Sequence, residues 1–340
     1  MNAPLMPTTS LVSFGLQGEV APGVLWLRLP LPFKPEDHIN VWLLEDGEGF
    51  VLVDTGLADA ESRLLWEAAQ NSALGGRPIK RVFVTHHHPD HIGLAAWFAT
   101  HHGAAIHLPA REAELARRLL GVQDDAALKA RYAAHGMPVE ADFVELRHRF
   151  YREHVAALPD EIFSVEDEAR FVIGGVEWIA LLAGGHTPAH LLLHCPARQL
   201  LIAGDHILPE IVTNIGALSF DPDATPVADY FASLERLARL PADTLVLPAH
   251  GLPFHGLQAR SEALAAIHHE HLARVLAATA HADTVWGLLP HIYGREMTGL
   301  AALLAFNQTK AYLDHLVAQR RVLSEQDAAG IVRYRPFLAD

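Results

Sequence analysis

The spacing of apolar and polar positions sets out most of the chain's elements before any single residue is considered. From 25 to 56 the sequence alternates and then runs apolar: Val41-Trp42-Leu43-Leu44, an acidic turn Glu45-Asp46-Gly47-Glu48-Gly49, then Phe50-Val51-Leu52-Val53-Asp54. Two apolar runs around a Gly-containing turn predict a β-hairpin. Residues 58–73 place Leu64, Leu65, Ala68 and Ala69 on one helical face and stop at Gly75-Gly76. A strand follows over 79–85, then a helix over 93–101 and a short strand over 104–108. The stretch 111–162 is charged, rich in Ala, Leu and Arg, and reads as several helices. Strands resume at 169–173, 177–182, 190–195 and 200–203. A helix over 226–240 precedes a strand at 244–247, and a long helix covers about 257–279.

The order is ββαβαβ, a helical insert at about 111–162, then ββββαβα. Two β-rich halves flanked by helices predict an α+β fold, an αββα sandwich. The insert is expected to be a lid or wall over a site, because long excursions between core elements are usually functional; a dimerisation surface is the alternative. Beyond 282 the pattern changes to short helices at 285–292, 298–306 and 310–319. Val322-Leu323 and Ile331-Val332-Arg333-Tyr334 then suggest a small hairpin, which completes a winged-helix pattern. A large unit, 1–281, and a small one, 282–340, are the expected domains.

Length allows one large domain, or a large and a small one, and a half-hydrophobic chain with 19% charged residues is expected to fold. The net charge of −14, from 40 acidic and 26 basic residues, disfavours nucleic acid as a partner. Cys195 is the sole cysteine, which excludes an intrachain disulfide and a Cys-based zinc knuckle, and its apolar surroundings predict a buried strand thiol. The first fifteen residues lack the basic cluster and apolar core of a secretory leader, and no apolar stretch nears the roughly 20 residues of a membrane span. A soluble cytoplasmic protein is the expectation.

Metal binding needs neutral imidazoles and carboxylates aimed at one point from rigid backbone. Residues 85–91 read Thr-His-His-His-Pro-Asp-His at the end of a predicted strand. His86 and His88, two apart, can point the same way from an extended loop while His87 points elsewhere. Asp90 and His91 follow across a turn enforced by Pro89. That makes two pairs, each able to serve a separate ion. Three further positions follow apolar strands beside a small residue or Pro: His186 in Gly185-His186-Thr187-Pro188, Asp205 in Ala203-Gly204-Asp205-His206, and His250 in Pro248-Ala249-His250-Gly251. With 23 histidines in the chain, scattered ones carry little weight. The H-x-H-x-D-H run at a strand end is the specific signal for a metal site.

With those residues in view, the chain resembles the metallo-β-lactamase superfamily, whose five motifs occur in order: Asp54, the His86–His91 run, His186, Asp205 and His250. The likeness covers about residues 20 to 255. The tail resembles the winged-helix domain of the branch containing the lactamase-β-like proteins, through Arg295-Glu296-Met297-Thr298-Gly299-Leu300 and Ala311-Tyr312-Leu313-Asp314-His315-Leu316-Val317. The resemblance implies a metallo-β-lactamase sandwich as the catalytic domain. It implies that His86, His88 and His186 hold one ion, that Asp90, His91 and His250 hold a second, and that Asp205 bridges them. Asp54 would orient the cluster by hydrogen bonds, and His206 would be a neighbouring loop residue and not a ligand. Zinc suits an imidazole-rich, cysteine-free site, and iron or manganese accept the same donors. Two such ions, roughly 3.5–4 Å apart, share a bridging water and generate hydroxide for attack on an acyl or phosphoryl centre. Asp90 is then the expected catalytic residue, orienting the nucleophile or relaying its proton.

Motifs fix a reaction type better than a substrate. The missing leader and the unrelated tail argue against a β-lactamase proper. The tail also stands where glyoxalase II enzymes carry glutathione-gripping helices, and it is too short for the flavin domain of diiron redox relatives. Hydrolysis of a small acyl thioester or ester is therefore expected, with Phe143, Phe150, Tyr151 and Phe163 as a candidate apolar wall, core packing being the commoner role for any one of them. Lactone hydrolysis is one alternative. Another is cleavage of single-stranded RNA, favoured by the winged-helix pattern and by Arg320, Arg321, Arg333 and Arg335, but opposed by the chain's acidity. A homodimer formed through the tail is a further expectation, while Thr213-Asn214 is expected to pack its loop.

Overall fold

Side chains alternate across each strand, and here both faces of both sheets are apolar. The computed structural model describes residues 14–33, 36–72, 74–121, 125–138, 143–216 and 224–337. The N-terminal stretch read for a leader, the predicted helix end at Ala73, and 122–124 and 139–142 of the insert fall outside these residues, save Phe14 and Gly15. Among the described residues, seven strands form a first sheet in chain order: β1 (Gly15–Ala21), β2 (Val24–Pro30), β3 (His38–Asp46), β4 (Gly49–Val53), β5 (Ile79–Phe83), β6 (Ala105–Leu108) and β7 (Phe163–Ser164). The second sheet holds β8 (Arg170–Ile173), β9 (Val176–Ala183), β10 (His190–Cys195), β11 (Leu200–Gly204) and β12 (Leu245–Pro248), with β12 and β8 at its edges.

The first sheet is antiparallel up to β4 and parallel from β4 to β7. Parallel neighbours require crossovers, usually helical. Helix α1 (Ala60–Asn71) joins β4 to β5, and α2 (Pro89–Ile92) with α3 (Ala95–His102) joins β5 to β6. The predicted insert is the third crossover: α4 (Ala110–Gly121), α5 (Ala126–Ala134) and α6 (Phe143–His154) carry the chain from β6 to β7. In the second sheet only β11 and β12 pair in parallel, joined through α7 (Pro226–Leu237).

Period two sorts the core into layers. Along β3, Ile39, Val41 and Leu43 pack with Trp66 and Phe98 under the helices, while Trp42 and Leu44 face the second sheet. Along β10, Leu191, Leu193 and Cys195 join that inter-sheet layer and Leu192 faces the opposite helices. The layers run helix, sheet, sheet, helix, which is the expected sandwich. Cys195 is the buried strand thiol its setting predicts.

After β12 come α8 (Leu257–Ala278), α9 (Val285–Tyr293), α10 (Gly299–Ala318) and the antiparallel pair β13 (Val322–Gln326) and β14 (Val332–Pro336). One apolar cluster joins Leu264 and Leu272 of α8, Leu288 of α9, Phe306 and Leu313 of α10, Tyr132 and Phe143 of the insert, and Leu192 and Leu201 of the second sheet. The two helices expected at 298–306 and 310–319 are the single helix α10. Asn307, Gln308 and Thr309 resemble a break in sequence, but they are buried helical residues. No helix among the described residues is long and apolar enough to cross a membrane.

Candidate metal centre

Each sequence-predicted site residue follows the C-terminal end of a strand, and the two sheets bring those ends together. After β5, Thr85 and His86 continue the strand, and His88 adopts the extended backbone favoured before proline (φ −64°, ψ 148°). Pro89 then opens α2, a position where its missing N–H costs nothing, which carries Asp90 and His91. His186, Asp205 and His250 follow β9, β11 and β12. Asn40 of β3 stitches the sheets beside the site: its N–H donates to the carbonyl of Ala249 (2.6 Å), and its side chain donates to Pro248 (3.0 Å) and Gly251 (2.8 Å).

The seven residues converge in two groups. His86, His88, His186 and Asp205 form one, and Asp90, His91 and His250 the other; within each group the donor atoms lie within 4.8 Å of one another. In the first, His86 Nε2 lies 2.8 Å from His88 Nδ1, while His186 Nε2 is 3.3 Å from His86 Nε2 and 3.2 Å from His88 Nδ1. Asp205 reaches both groups. Its Oδ2 is 3.5 Å from His186 Nε2, and its Oδ1 is 3.4 Å from His91 Nε2 and 3.2 Å from His250 Nε2. Asp90 Oδ2 closes the second group, 3.4 Å from His91 Nε2 and 3.6 Å from His250 Nε2.

A ligand imidazole is aimed by whatever accepts the proton of its far nitrogen. His91 Nδ1 is held by Asp54 Oδ2 (2.8 Å), His250 Nδ1 by the carbonyl of His38 (2.7 Å), His186 Nδ1 by the carbonyl of Asn214 (2.9 Å), and His86 Nδ1 by Thr85 Oγ1 (3.0 Å). In all four, Nε2 is the nitrogen turned to the centre. Asp54 takes a left-handed backbone (φ 64°) and also accepts the N–H and hydroxyl of Thr85, as an orienting residue should. His206 belongs to neither group; its ring packs on Tyr230 and His190.

Charge divides the groups. Burial, reinforced by neighbouring imidazoles, pushes His86 and His88 well below the usual histidine range, so both are neutral donors. Burial also opposes charge on His91 and His250. There, however, the carboxylates win: Asp90, Asp54 and Asp205 lift His91 well above its usual value, and Asp205 with Asp90 lifts His250 to about 9. Asp205 stays ionised, since His250 and His91 outweigh its desolvation. A cation fits this arrangement. Three converging imidazole nitrogens present lone pairs to one another, and the buried His91 Nε2 and Asp205 Oδ1 have no hydrogen-bond partner.

Sequence reasoning missed the support behind the metal loops. Glu112 of α4 is fully buried, accepts the His87 ring Nδ1–H (2.6 Å) and backbone N–H (3.2 Å) on Oε2, and accepts the N–H of Ala189 (2.8 Å) on Oε1. One carboxylate thus clamps the loops that carry His88 and His186. Tyr151 of α6 donates to the His87 carbonyl (2.9 Å) from the same side. His87 does point elsewhere, as its place between His86 and His88 requires. The four aromatics proposed as a wall do not gather: Phe143 packs on Trp286, Phe150 on Phe33 and His154, Tyr151 lies in the helical core, and Phe163 stacks on His107.

The family-model comparison matches residues 35–250 to the metallo-β-lactamase superfamily. The chain belongs to that superfamily and is a metal-dependent hydrolase of it. A β-lactamase domain protein from Burkholderia ambifaria is similar in structure, with a TM-score of 0.84 and 34% identity over 94% of this chain and 92% of that one. A probable metallo-hydrolase, YflN, of Bacillus subtilis is 27% identical over 77% of this chain and 96% of its own length. A hydroxyacylglutathione hydrolase of Ruegeria pomeroyi is 27% identical over 64% of this chain and 67% of its own.

Packing around Asp205 leaves no room for a side chain at Gly204. Its φ is 51°, and a Cβ there would lie 2.4 Å from His190 Cε1 and 3.2 Å from Thr85 Cβ. His190 Nε2 accepts the N–H of Asp205 (3.1 Å), so its displacement moves that residue. Gly204→Ala is expected to cost about 2–3 kcal/mol in denaturant unfolding, with metal uptake reduced alongside.

Proposed function

We propose that the protein holds two divalent ions, zinc in the native enzyme, and hydrolyses a small acyl thioester or ester. In this reading His86, His88 and His186 hold the first ion, Asp90, His91 and His250 hold the second, and Asp205 serves both. The observation that carries it is Asp205, which directs one carboxylate oxygen into each group. Bound there, the ions would supply acidity to water and Lewis-acid polarisation to the substrate oxygen. The chain's own residues do the rest. Asp90, the most exposed member of the second group with 16% of its side chain accessible, orients the attacking water or relays its proton. Asp54, Thr85, Asn214 and the His38 carbonyl keep the imidazoles from turning.

Similarity to hydroxyacylglutathione hydrolases favours a thioester over a phosphodiester. The tail's arginines support the same choice: Arg333 pairs with Asp283 (2.8 Å) and Asp327 (2.9 Å), and Arg335 with Glu325 (2.6 Å), so carboxylates answer much of the basic patch. The test is a panel of acyl thioesters, esters, lactones and single-stranded RNA, given to the zinc-loaded enzyme and to enzyme stripped by a chelator. Thioester or ester cleavage should vanish on stripping and return with added zinc. Cleavage of RNA alone, or cleavage indifferent to the chelator, would overturn the reading.

A further inference from the structure

The middle of α10 is chemically out of place. Leu303, Ala305 and Phe306 precede it and Ala311 and Leu313 follow, all buried, yet the intervening Asn307, Gln308 and Thr309 are buried too. An unsatisfied buried polar group costs roughly 1–3 kcal/mol, so the amides should have partners. Three of the four amide atoms do, two of them across element boundaries, while Asn307 Nδ2 has none among the described residues. Asn307 Oδ1 accepts the hydroxyl of Tyr132 on α5 (3.0 Å). Gln308 Oε1 accepts Nδ2–H of Asn214 (2.5 Å), in the loop that follows Asp205. On its other side Gln308 Nε2 donates to Tyr312 Oη (2.9 Å), whose hydroxyl lies 2.6 Å from His268 Nδ1 and 3.2 Å from His271 Nδ1 on α8. Because the Asn214 carbonyl accepts from His186 Nδ1 (2.9 Å), an unbroken line of hydrogen bonds runs from α8 through α10 to a residue of the first group.

The acceptors behind the other three imidazoles are tied into sheet ends: Asp54 follows β4, Thr85 follows β5, and His38 opens β3. The His186 acceptor instead lies between β11 and α7, where no strand occurs among the described residues. Thr213 ties that loop to the carbonyls of Asp205 (2.9 Å) and His206 (3.2 Å), and Gln308 holds the side chain of Asn214 itself. We propose that Gln308 is a positioning residue for the first metal position: by anchoring Asn214 it fixes the carbonyl that sets the tautomer and direction of His186. This rests on the reading of His186 as a metal ligand given above. It places a determinant of metal binding on the C-terminal helix, more than a hundred residues beyond the ligand it serves.

The test is zinc titration of the full chain against a chromophoric chelator, for wild type, Gln308→Ala, Gln308→Glu and Asn214→Ala, with thermal melts of each metal-free protein. Gln308→Ala should weaken one of two ions by about 10–100-fold, the range seen when the partner of a ligand imidazole is removed, and leave the other close to wild type. Gln308→Glu keeps an acceptor for Asn214 and can accept a hydrogen bond donated by the Tyr312 hydroxyl, so it should restore most of that affinity. Asn214→Ala should lose the same single site, and it carries the test if Gln308→Ala does not fold. Unchanged affinities in folded Gln308→Ala or in Asn214→Ala would overturn the proposal, as would equal weakening in Gln308→Ala and Gln308→Glu. Wild-type protein that takes up no zinc would overturn the metal reading itself, a separate and visible failure.

Discussion

Asp205→Ala is expected to lower kcat/KM by about 10³-fold, the upper range for loss of one preorganised electrostatic group. Asp205 turns one oxygen to each group: Oδ2 approaches His186, and Oδ1 approaches His91 and His250. On the two-ion reading, its removal takes away the charge that would balance the cations and the carboxylate shared by the two groups. Asp205→Asn is the informative companion, because the amide keeps the shape and one acceptor oxygen but turns a donor toward the other group. That variant should carry close to one ion per chain where the wild type carries two, measured by elemental analysis after dialysis. His88→Ala should lower turnover comparably. A wild-type rate in any of these variants, beside metal-depleted controls, would remove the basis for the two-ion assignment.

Glu112→Ala should have a large effect on the fold although it lies outside the centre. It strands a buried ring N–H and two backbone N–H groups, on His87 and Ala189, at roughly 3–5 kcal/mol in total. Denaturant unfolding of the metal-free protein measures this, and a loss below 1 kcal/mol would show that water replaces the carboxylate. The same residue predicts an acid limit. Burial would raise its pKa, but the His87 ring and the Ala189 N–H outweigh burial and hold the carboxyl below its usual 4.5. A depressed folded pKa contributes stability that is complete above the unfolded value and is lost as pH falls through the folded one. Metal-free wild type should therefore lose this contribution below about pH 4.5, whereas Glu112→Gln should lack it at every pH and show a correspondingly shallower acid decline.

Local spacing made much of this legible. The strand periods of β3, β4, β10 and β11 and the His-x-His-x-Asp-His run are patterns within a few residues, and they suffice for the sandwich and for which side chains meet. What stayed hidden depends on distant partners. Glu112 lies in a charged, helical stretch where a solvent-facing carboxylate is the ordinary reading, and only the fold brings His87 and Ala189 to it. Gln308 and its neighbours imitate a helix break, because nothing nearby in sequence reveals Tyr132 or Asn214. The outer strands β1 and β7 escaped for another reason: β1 contains two glycines, and β7 is two residues long, too little for a period to show.

Neither half of the sandwich holds a complete group. The first sheet contributes His86, His88, Asp90 and His91, and the second contributes His186, Asp205 and His250. On the two-ion reading, ion uptake is a mass-action term in the docking of the two halves. An ion at a hundred times its dissociation constant adds about 2.7 kcal/mol per site, so a chelator should act on this molecule as a mild denaturant. Its melting temperature becomes a gauge of the free metal around it.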